Sequence, residues 1–352
     1  MGRKTFRKVI TSDEMLSKIN RKNIRLMESF LKHKNAKCSD QTIIGYRSDL
    51  NIFFCYNYMY NDDKFFINIK KLELAEFFDY GLLELKWSGN RYARMRSLIS
   101  SFSDFICDYL DDDYPDFRNL INKAVPKVPK IPVRKKTVIT EEQVYGLRNK
   151  LLEEGKLREA TYLMLLASSG ARISESLRIN VDMIDENCTA FGDLFLETTE
   201  ELKTKGHGKN GEMMTRFLIK DTFLPIYKKW LKVRDEVMKQ NNKHHNKMFI
   251  KSNGDPIEST DTVRYWISKW EDYLGVPCYA HMMRHFIVSD LTRKGCSSSF
   301  IVAVMKWKSG DAMYNIYNDV EDKDRHWKEV DKLKNAFSFS DNENLKINLE
   351  DN

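Results

Sequence analysis

The sequence predicts a mainly α protein with a small antiparallel β-sheet, an α+β fold in two parts. Three observations predict it. Apolar residues recur at three- and four-residue spacing through much of residues 12–122. The stretch KAVPKVPKIPVRKK then sets Pro126, Pro129 and Pro132 at every third position, which favours extended polyproline II and excludes a helix. Beyond it, short strand-like runs are interleaved among segments of helical pattern. A chain of 352 residues has the length of two ordinary domains. With 42 % hydrophobic and 12 % aromatic residues, each can bury a core.

Taken in order, TIIGYRSDLNIFFCYNYMY aligns Ile43, Tyr46, Leu50 and Phe53/Phe54 on one helical face, with Ser39 or Asp40 as its cap. RYARMRSLISSFSDFICDYL repeats the pattern with Met95, Leu98, Ile99, Phe102, Phe105 and Ile106, capped within Ser88–Asn90. Both faces read as the inside of an amphipathic bundle. The proline segment is the clearest boundary. After it, Thr140 caps a helix with Glu141 and Glu142 in its first turn. LREATYLMLLASSG reads as a buried helix ending at Gly170. Strands are expected around Ile179–Ile184, Leu194–Leu196 and Thr215–Ile219. Helices follow over Asp221–Gln240, Thr260–Leu274, Ala280–Lys294 and Ser298–Lys306, then a short one carrying Tyr314 and Tyr317. The organisation is a basic arm (1–11), a helical domain (12–122), a basic proline-rich linker (123–137), a second domain (138–336) and an acidic tail (337–352).

The charge balance, 58 basic against 51 acidic residues, is only modestly positive. Its distribution says more. Lys123, Lys127, Lys130, Arg134, Lys135 and Lys136 form an acid-free run, as do Lys86, Arg91, Arg94 and Arg96. Both suit a phosphate backbone. The six cysteines are scattered without a Cys-x-x-Cys pair, which argues against structural zinc and against a disulfide framework. No run of about eighteen apolar residues occurs, and MGRKTFRKVITSDE lacks an apolar signal core. The expected setting is a reducing cytoplasm.

Four pieces of the second domain carry suggestive chemistry: SSGARISES, with Arg172 and Glu175; the Gly- and Lys-rich turn ELKTKGHGKNGEMMTRF; HMMRHF, with His281, Arg284 and His285 on one helical face; and KWKSGDAMYNIYND. Singly, each has a plain structural explanation: a surface ion pair, a solvated hairpin, a packed tyrosine. His281 and His285 at i, i+4 could ligate a metal, but Arg284 beside them and the lack of a glutamate base argue against it. Together the pieces suit phosphoryl transfer. Two arginines can grip a phosphate, a histidine and a lysine can handle protons, and a tyrosine can attack phosphorus.

These boxes resemble those of the tyrosine recombinases, or phage integrases. SGARISE is similar to that family's TGxRxSE box and HMMRH to its HxxRH box, followed by a late His or Trp nine residues before the nucleophilic tyrosine. In the first half, the pattern T-x-x-x-Y-x-x-D-L-x-x-F, from Thr42 to Phe53, resembles the helical, SAM-like core-binding domain. The resemblance covers about residues 12–335 and implies a core-binding domain joined to a recombinase catalytic domain, with double-stranded DNA as partner, dimer or tetramer assembly on DNA, and no cofactor.

By that resemblance Tyr317, in YNIYNDV, is the nucleophile, and Tyr314 packs against the helix at Ile301–Met305. Arg172 and Arg284 clamp the scissile phosphate, and His281 donates a hydrogen bond or shuttles a proton. Lys205 is the hairpin lysine that protonates the leaving 5′ oxygen, with Lys203 and Lys209 as competitors. Glu175 orients an arginine or histidine, and His285 lies behind the site. One departure stands out: the late His or Trp position holds Lys308, with Trp307 one place off. Lys308 could donate to the phosphate, a local helix irregularity could bring in Trp307, or the site has decayed. The first reading is a recombinase that integrates or excises a mobile element; the alternative is a sequence-specific phage repressor on the same fold.

Overall fold

Ser39, Ser88 and Thr140 each open a helix by accepting a backbone N–H with the side-chain oxygen, which satisfies a donor the first helical turn leaves unpaired. At Thr140 the bond is reciprocal, since Gln143 returns a contact to the Thr140 N–H. In the computed structural model, residues 10–129, 137–204, 211–308 and 310–320 are described. The chain divides into two compact units, with the main boundary between Lys135 and Lys136.

The first unit is helical: α1 (Asp13–Lys18), α2 (Arg21–Asn35), α3 (Asp40–Tyr60), α4 (Lys71–Leu83), α5 (Gly89–Tyr109) and the single turn α6 (Ile121–Ala124). Its core is phenylalanine-rich. Phe53 meets Phe77 edge-on at 4.9 Å and Phe30 meets Phe102 at 5.2 Å, the ring geometry favoured by aromatic quadrupoles. The buried Asn23 and Asn57 both donate to the Lys64 carbonyl and so pin the loop between α3 and α4.

The proline-rich segment starts later than the sequence implies. Lys123 lies in α6, Val125 is buried in the first unit's core, and the Tyr92 hydroxyl donates to the Pro126 carbonyl at 3.0 Å. Apolar Ile121 and Val125 have a core to enter, and that outweighs the pull of the prolines that follow. The basic arm through Val9, linker residues 130–136 and the acidic tail lie outside the described residues.

The second unit is built around α8 (Leu157–Ser169), whose residues from Ala160 onward are all buried. A helix apolar all round belongs inside, and α8 is flanked by α7 (Glu141–Glu153), α10 (Lys220–Gln240) and α12 (Met282–Arg293). Strands β1 (Thr189–Ala190), β2 (Phe195–Glu197) and β5 (Phe217–Ile219) form an antiparallel sheet in the order β1-β2-β5, with Phe195 opposite Ile219. A second sheet pairs β3 (Leu202–Thr204) with β4 (Glu212–Met214). The strand expected at Ile179–Ile184 is absent. A 3-10 turn occupies Val181–Met183, and only Asn180 bridges, to Lys247. Helices α9 (Ile173–Ser176), α11 (Thr260–Leu274), α13 (Ser298–Val304) and α14 (Gly310–Tyr317) complete the unit.

The cysteines at 38, 55, 107, 188, 278 and 296 are all free thiols. Among the described residues, no helix is long and apolar enough to cross a membrane, and no group of three or more His, Cys, Asp or Glu side chains could hold a metal ion.

Candidate active site

The site begins where α8 ends. Gly170 takes a left-handed φ of 56° and closes the helix. A Cβ there would stand 2.8 Å from Ile287 Cγ2 and 2.8 Å from Met305 Cε, so glycine is also required by close packing. The Gly170 carbonyl accepts a 2.8 Å hydrogen bond from Arg284 of α12. Two residues on, Arg172 caps α9: its N–H donates to Glu175 Oε2 at 3.0 Å and its guanidinium to Oε1 at 2.7 Å.

Glu175 is fully buried and binds a second guanidinium, that of Arg216, at 2.9 Å. Burial alone would raise its carboxyl, but Arg216 and Arg172 outweigh burial and hold it below the ordinary glutamate range. Arg284 is only 1 % exposed, and its Nε and second terminal nitrogen find no hydrogen-bond partner among the described residues. Burial first, then the nearby Arg172 charge, lowers its guanidinium to about 10, so it remains a cation at neutral pH. A buried cation with unpaired donors is costly, and an anion bound against it relieves that cost.

The aromatic side of the site comes from α14 and the turn before it. The Arg284 guanidinium lies 5.2 Å from the Trp307 ring and 5.3 Å from the Tyr317 ring. Trp307 stacks on Tyr317 at 5.4 Å, and its buried Nε1 has no hydrogen-bond partner among the described residues. His285 meets Tyr317 from another side at 4.9 Å, its Nδ1 3.0 Å from Asp319 Oδ2. Asp319 is held in turn by its N–H, which donates to Ser289. Tyr314, three residues earlier, is committed elsewhere: its hydroxyl lies 3.2 Å from Thr292 Oγ1 of α12, so its polar anchor is α12 rather than α13.

The structure thus brings together Arg172, Glu175, Arg284, His285, Trp307 and Tyr317. His281 caps α12 and is exposed, one turn before His285. Lys308 is exposed, and the ring against Tyr317 is that of Trp307. The family's spacing of nine residues points to Lys308. Between α13 and α14 the chain turns, with Lys306 at a left-handed φ of 51°. Lys205 and Lys209 lie outside the described residues; Lys203 sits exposed on β3.

In the first unit, Lys86, Lys123 and Lys127 are exposed. Arg91 and Arg94 pair with the buried Asp49, Arg94 through Nε at 2.8 Å. Arg96 donates to the Val125 carbonyl at 2.9 Å and to Asn122 at 2.7 Å. All three therefore make bonds within the helical unit. Lys130, Arg134, Lys135 and Lys136 lie outside the described residues.

Sequence reasoning passed over Arg216, Lys306 and Asp319. The signal for Arg216 was a cation in MTRFLI, a run otherwise suited to a buried strand. The other two gave none.

Several solved structures share this fold over most of the chain. XerH site-specific recombinase bound to palindromic difH substrate, in a post-cleavage complex, superposes with a TM-score of 0.60 at 16 % identity, covering 89 % of this chain and 85 % of that one. Tn1549 transposon integrase with circular intermediate DNA gives 0.60 at 15 % identity, over 88 % and 98 %. A lambda integrase dimer bound to a COC′ core site gives 0.57 at 16 % identity, over 88 % and 81 %. The fold is therefore the tyrosine recombinase fold. Residues 137–324 match the sequence profile of the phage integrase family, more than half of the chain, and the protein belongs to that family. A tyrosine recombinase of Thermosipho africanus (strain TCF52B) is 24 % identical over 307 residues, spanning 86 % of this chain and 97 % of its own.

Proposed function

We propose that this protein is a site-specific DNA recombinase that cuts and rejoins duplex DNA through a 3′-phosphotyrosine on Tyr317, for integration or excision of a mobile element. The observation that carries it is the choice between two tyrosines. The Tyr317 ring lies 5.3 Å from a buried guanidinium with unpaired donors, whereas Tyr314 points its hydroxyl at Thr292.

A phenol has a pKa of about 10 and attacks poorly at neutral pH unless the charge that develops is offset. Arg284 and Arg172 would hold the non-bridging oxygens of the scissile phosphate and take up that charge. Glu175 keeps Arg172 in place. The Tyr317 hydroxyl would give up its proton to His281 as its oxygen forms a bond to phosphorus and the bond to the 5′ oxygen breaks, and Lys205 would supply the proton to that leaving oxygen. His281 would donate to the phosphate, and Trp307 through Nε1 would do the same. Attack by a 5′ hydroxyl from another strand reverses the chemistry and rejoins the DNA. With guanidinium groups carrying the charge compensation, the reaction needs no metal ion. Lys86, Lys123 and Lys127 would add sequence-independent phosphate contacts and make affinity fall with salt. The DNA-bound relatives support duplex DNA as the partner and assembly of several copies on it; the setting would be the cytoplasm of a bacterial or phage-infected cell.

The test is a suicide substrate: nicked duplex carrying a site selected by its binding to this protein. The parent and Tyr314→Phe should form a covalent adduct on a denaturing gel, and Tyr317→Phe should not. No adduct from the parent on DNA that it binds would sink the enzyme reading and leave a DNA-binding repressor.

A further inference from the structure

Helix α13 ends in a Schellman turn. The Lys306 N–H donates to the Ala303 carbonyl at 3.0 Å and the Trp307 N–H to the Val302 carbonyl at 3.1 Å. The residue at the left-handed position of such a turn is usually glycine, because a Cβ is disfavoured there. Here it is Lys306, at φ 51°. A lysine in that conformation needs compensation, and its side chain shows what supplies it. Nζ bonds Glu197 Oε1 at 2.9 Å and the Thr215 hydroxyl, and lies 4.3 Å above the Phe217 ring. The Thr215 hydroxyl itself bonds Glu197. The next residue, Arg216, donates to the Met305 carbonyl at 3.4 Å and with its other amino group to Glu175. Two adjacent residues after β4 therefore grip two adjacent residues of the turn that ends in Trp307. One of the two, Arg216, also holds the carboxylate that orients Arg172.

We propose that Lys306, Glu197 and Arg216 form a brace that positions Trp307 on Tyr317 and couples that placement to the Arg172 end of the site. This rests on the recombinase reading for its catalytic consequence, though the placement itself does not. None of the three touches Tyr317; each acts through another residue. A disfavoured backbone conformation persists only where surrounding bonds hold it, and here those bonds fix the residue before Trp307. With the tether cut, the turn is free to relax, Trp307 leaves the tyrosine, and the nucleophile loses its alignment.

The test uses the full chain and single-turnover adduct formation at saturating suicide DNA. Lys306→Gly suits the left-handed backbone but has no side chain, so it separates positioning from folding. Lys306→Met keeps the apolar stem without the charge, and Lys306→Arg restores a cation. Glycine and methionine should slow adduct formation by about 10- to 100-fold, the scale expected for a misplaced reacting group. The glycine variant's melting temperature should stay close to the parent's, the methionine variant's should fall because its left-handed backbone has lost its compensation, and arginine should recover most of the rate. Glu197→Gln should slow the reaction like Lys306→Met, and the double variant should be no slower than either, because one tether is lost only once. A glycine variant as fast as the parent, or an arginine variant as slow as methionine, overturns the brace. A second readout does not need activity. In protein labelled with 5-fluorotryptophan, the resonance that disappears in Trp307→Phe should shift in Lys306→Gly, and an unchanged resonance overturns the proposal. A resonance that shifts in Lys306→Gly, when the parent itself forms no adduct, upholds the brace and counts against the recombinase reading alone.

Discussion

Each unit buries one carboxylate between two arginines, and the two clusters behave differently. In the helical unit Asp49 is 1 % exposed, but Arg91 and Arg94 reach the surface, with side chains 26 % and 54 % exposed. In the second unit Glu175 is fully buried, and its partners Arg172 and Arg216 are 21 % and 4 % exposed. A third guanidinium, Arg284, lies close enough for Arg172 to disfavour its charge. The first cluster is a clasp whose spare positive charge is solvated. The second keeps its spare positive charge out of water, beside a tyrosine. Exposure of the arginines, rather than the presence of an Arg–carboxylate pair, is what would separate a structural clasp from the proposed anion site.

The largest expected effect is on stability. Glu175→Ala leaves Arg216 buried and uncompensated, which costs about 3–5 kcal/mol. Urea denaturation measures it, and a cost no larger than that of Asp49→Ala would break the comparison. Next comes Arg284→Ala, which should lower the rate of adduct formation about 10²- to 10³-fold with DNA affinity little changed. Arg94→Ala should leave the adduct rate within a few-fold, and equal losses in the two variants would erase the distinction. Asp49→Ala should cost less, about 1–3 kcal/mol, because its arginines can turn to water.

The pH dependence is smaller and has a definite sign. The Glu175 carboxyl is depressed in the folded protein, so its contribution is fully present above the ordinary glutamate pKa of about 4.3 and is lost as pH falls through the lower folded value. Stability of Glu175→Gln should fall less steeply on the acid side than that of the parent, and parallel curves would show that the carboxylate is not held as described. The smallest effect is at Lys308. Lys308→Ala should change the adduct rate by no more than about 5-fold, as for an exposed charge, and Trp307→Ala by more. The reverse order would return the late position to the lysine.

By itself the sequence determined most of the secondary structure. The helix over Thr260–Leu274, the left-handed stop at Gly170 and the caps at Ser39, Ser88 and Thr140 follow from local periodicity and capping chemistry. The boxes holding Arg172, Arg284 and Tyr317 were legible because each is short and contiguous. Tertiary structure decided the rest. Arg216 reaches Glu175 across 41 positions and Lys306 reaches Glu197 across 109, and no local pattern encodes such pairs. Val125 enters the first unit's core despite its proline neighbours because a buried apolar place was open to it. Trp307 meets Tyr317 across a turn whose left-handed Lys306 is held by bonds from a distant strand region, and a count of residues along the family's pattern carries no record of such a turn.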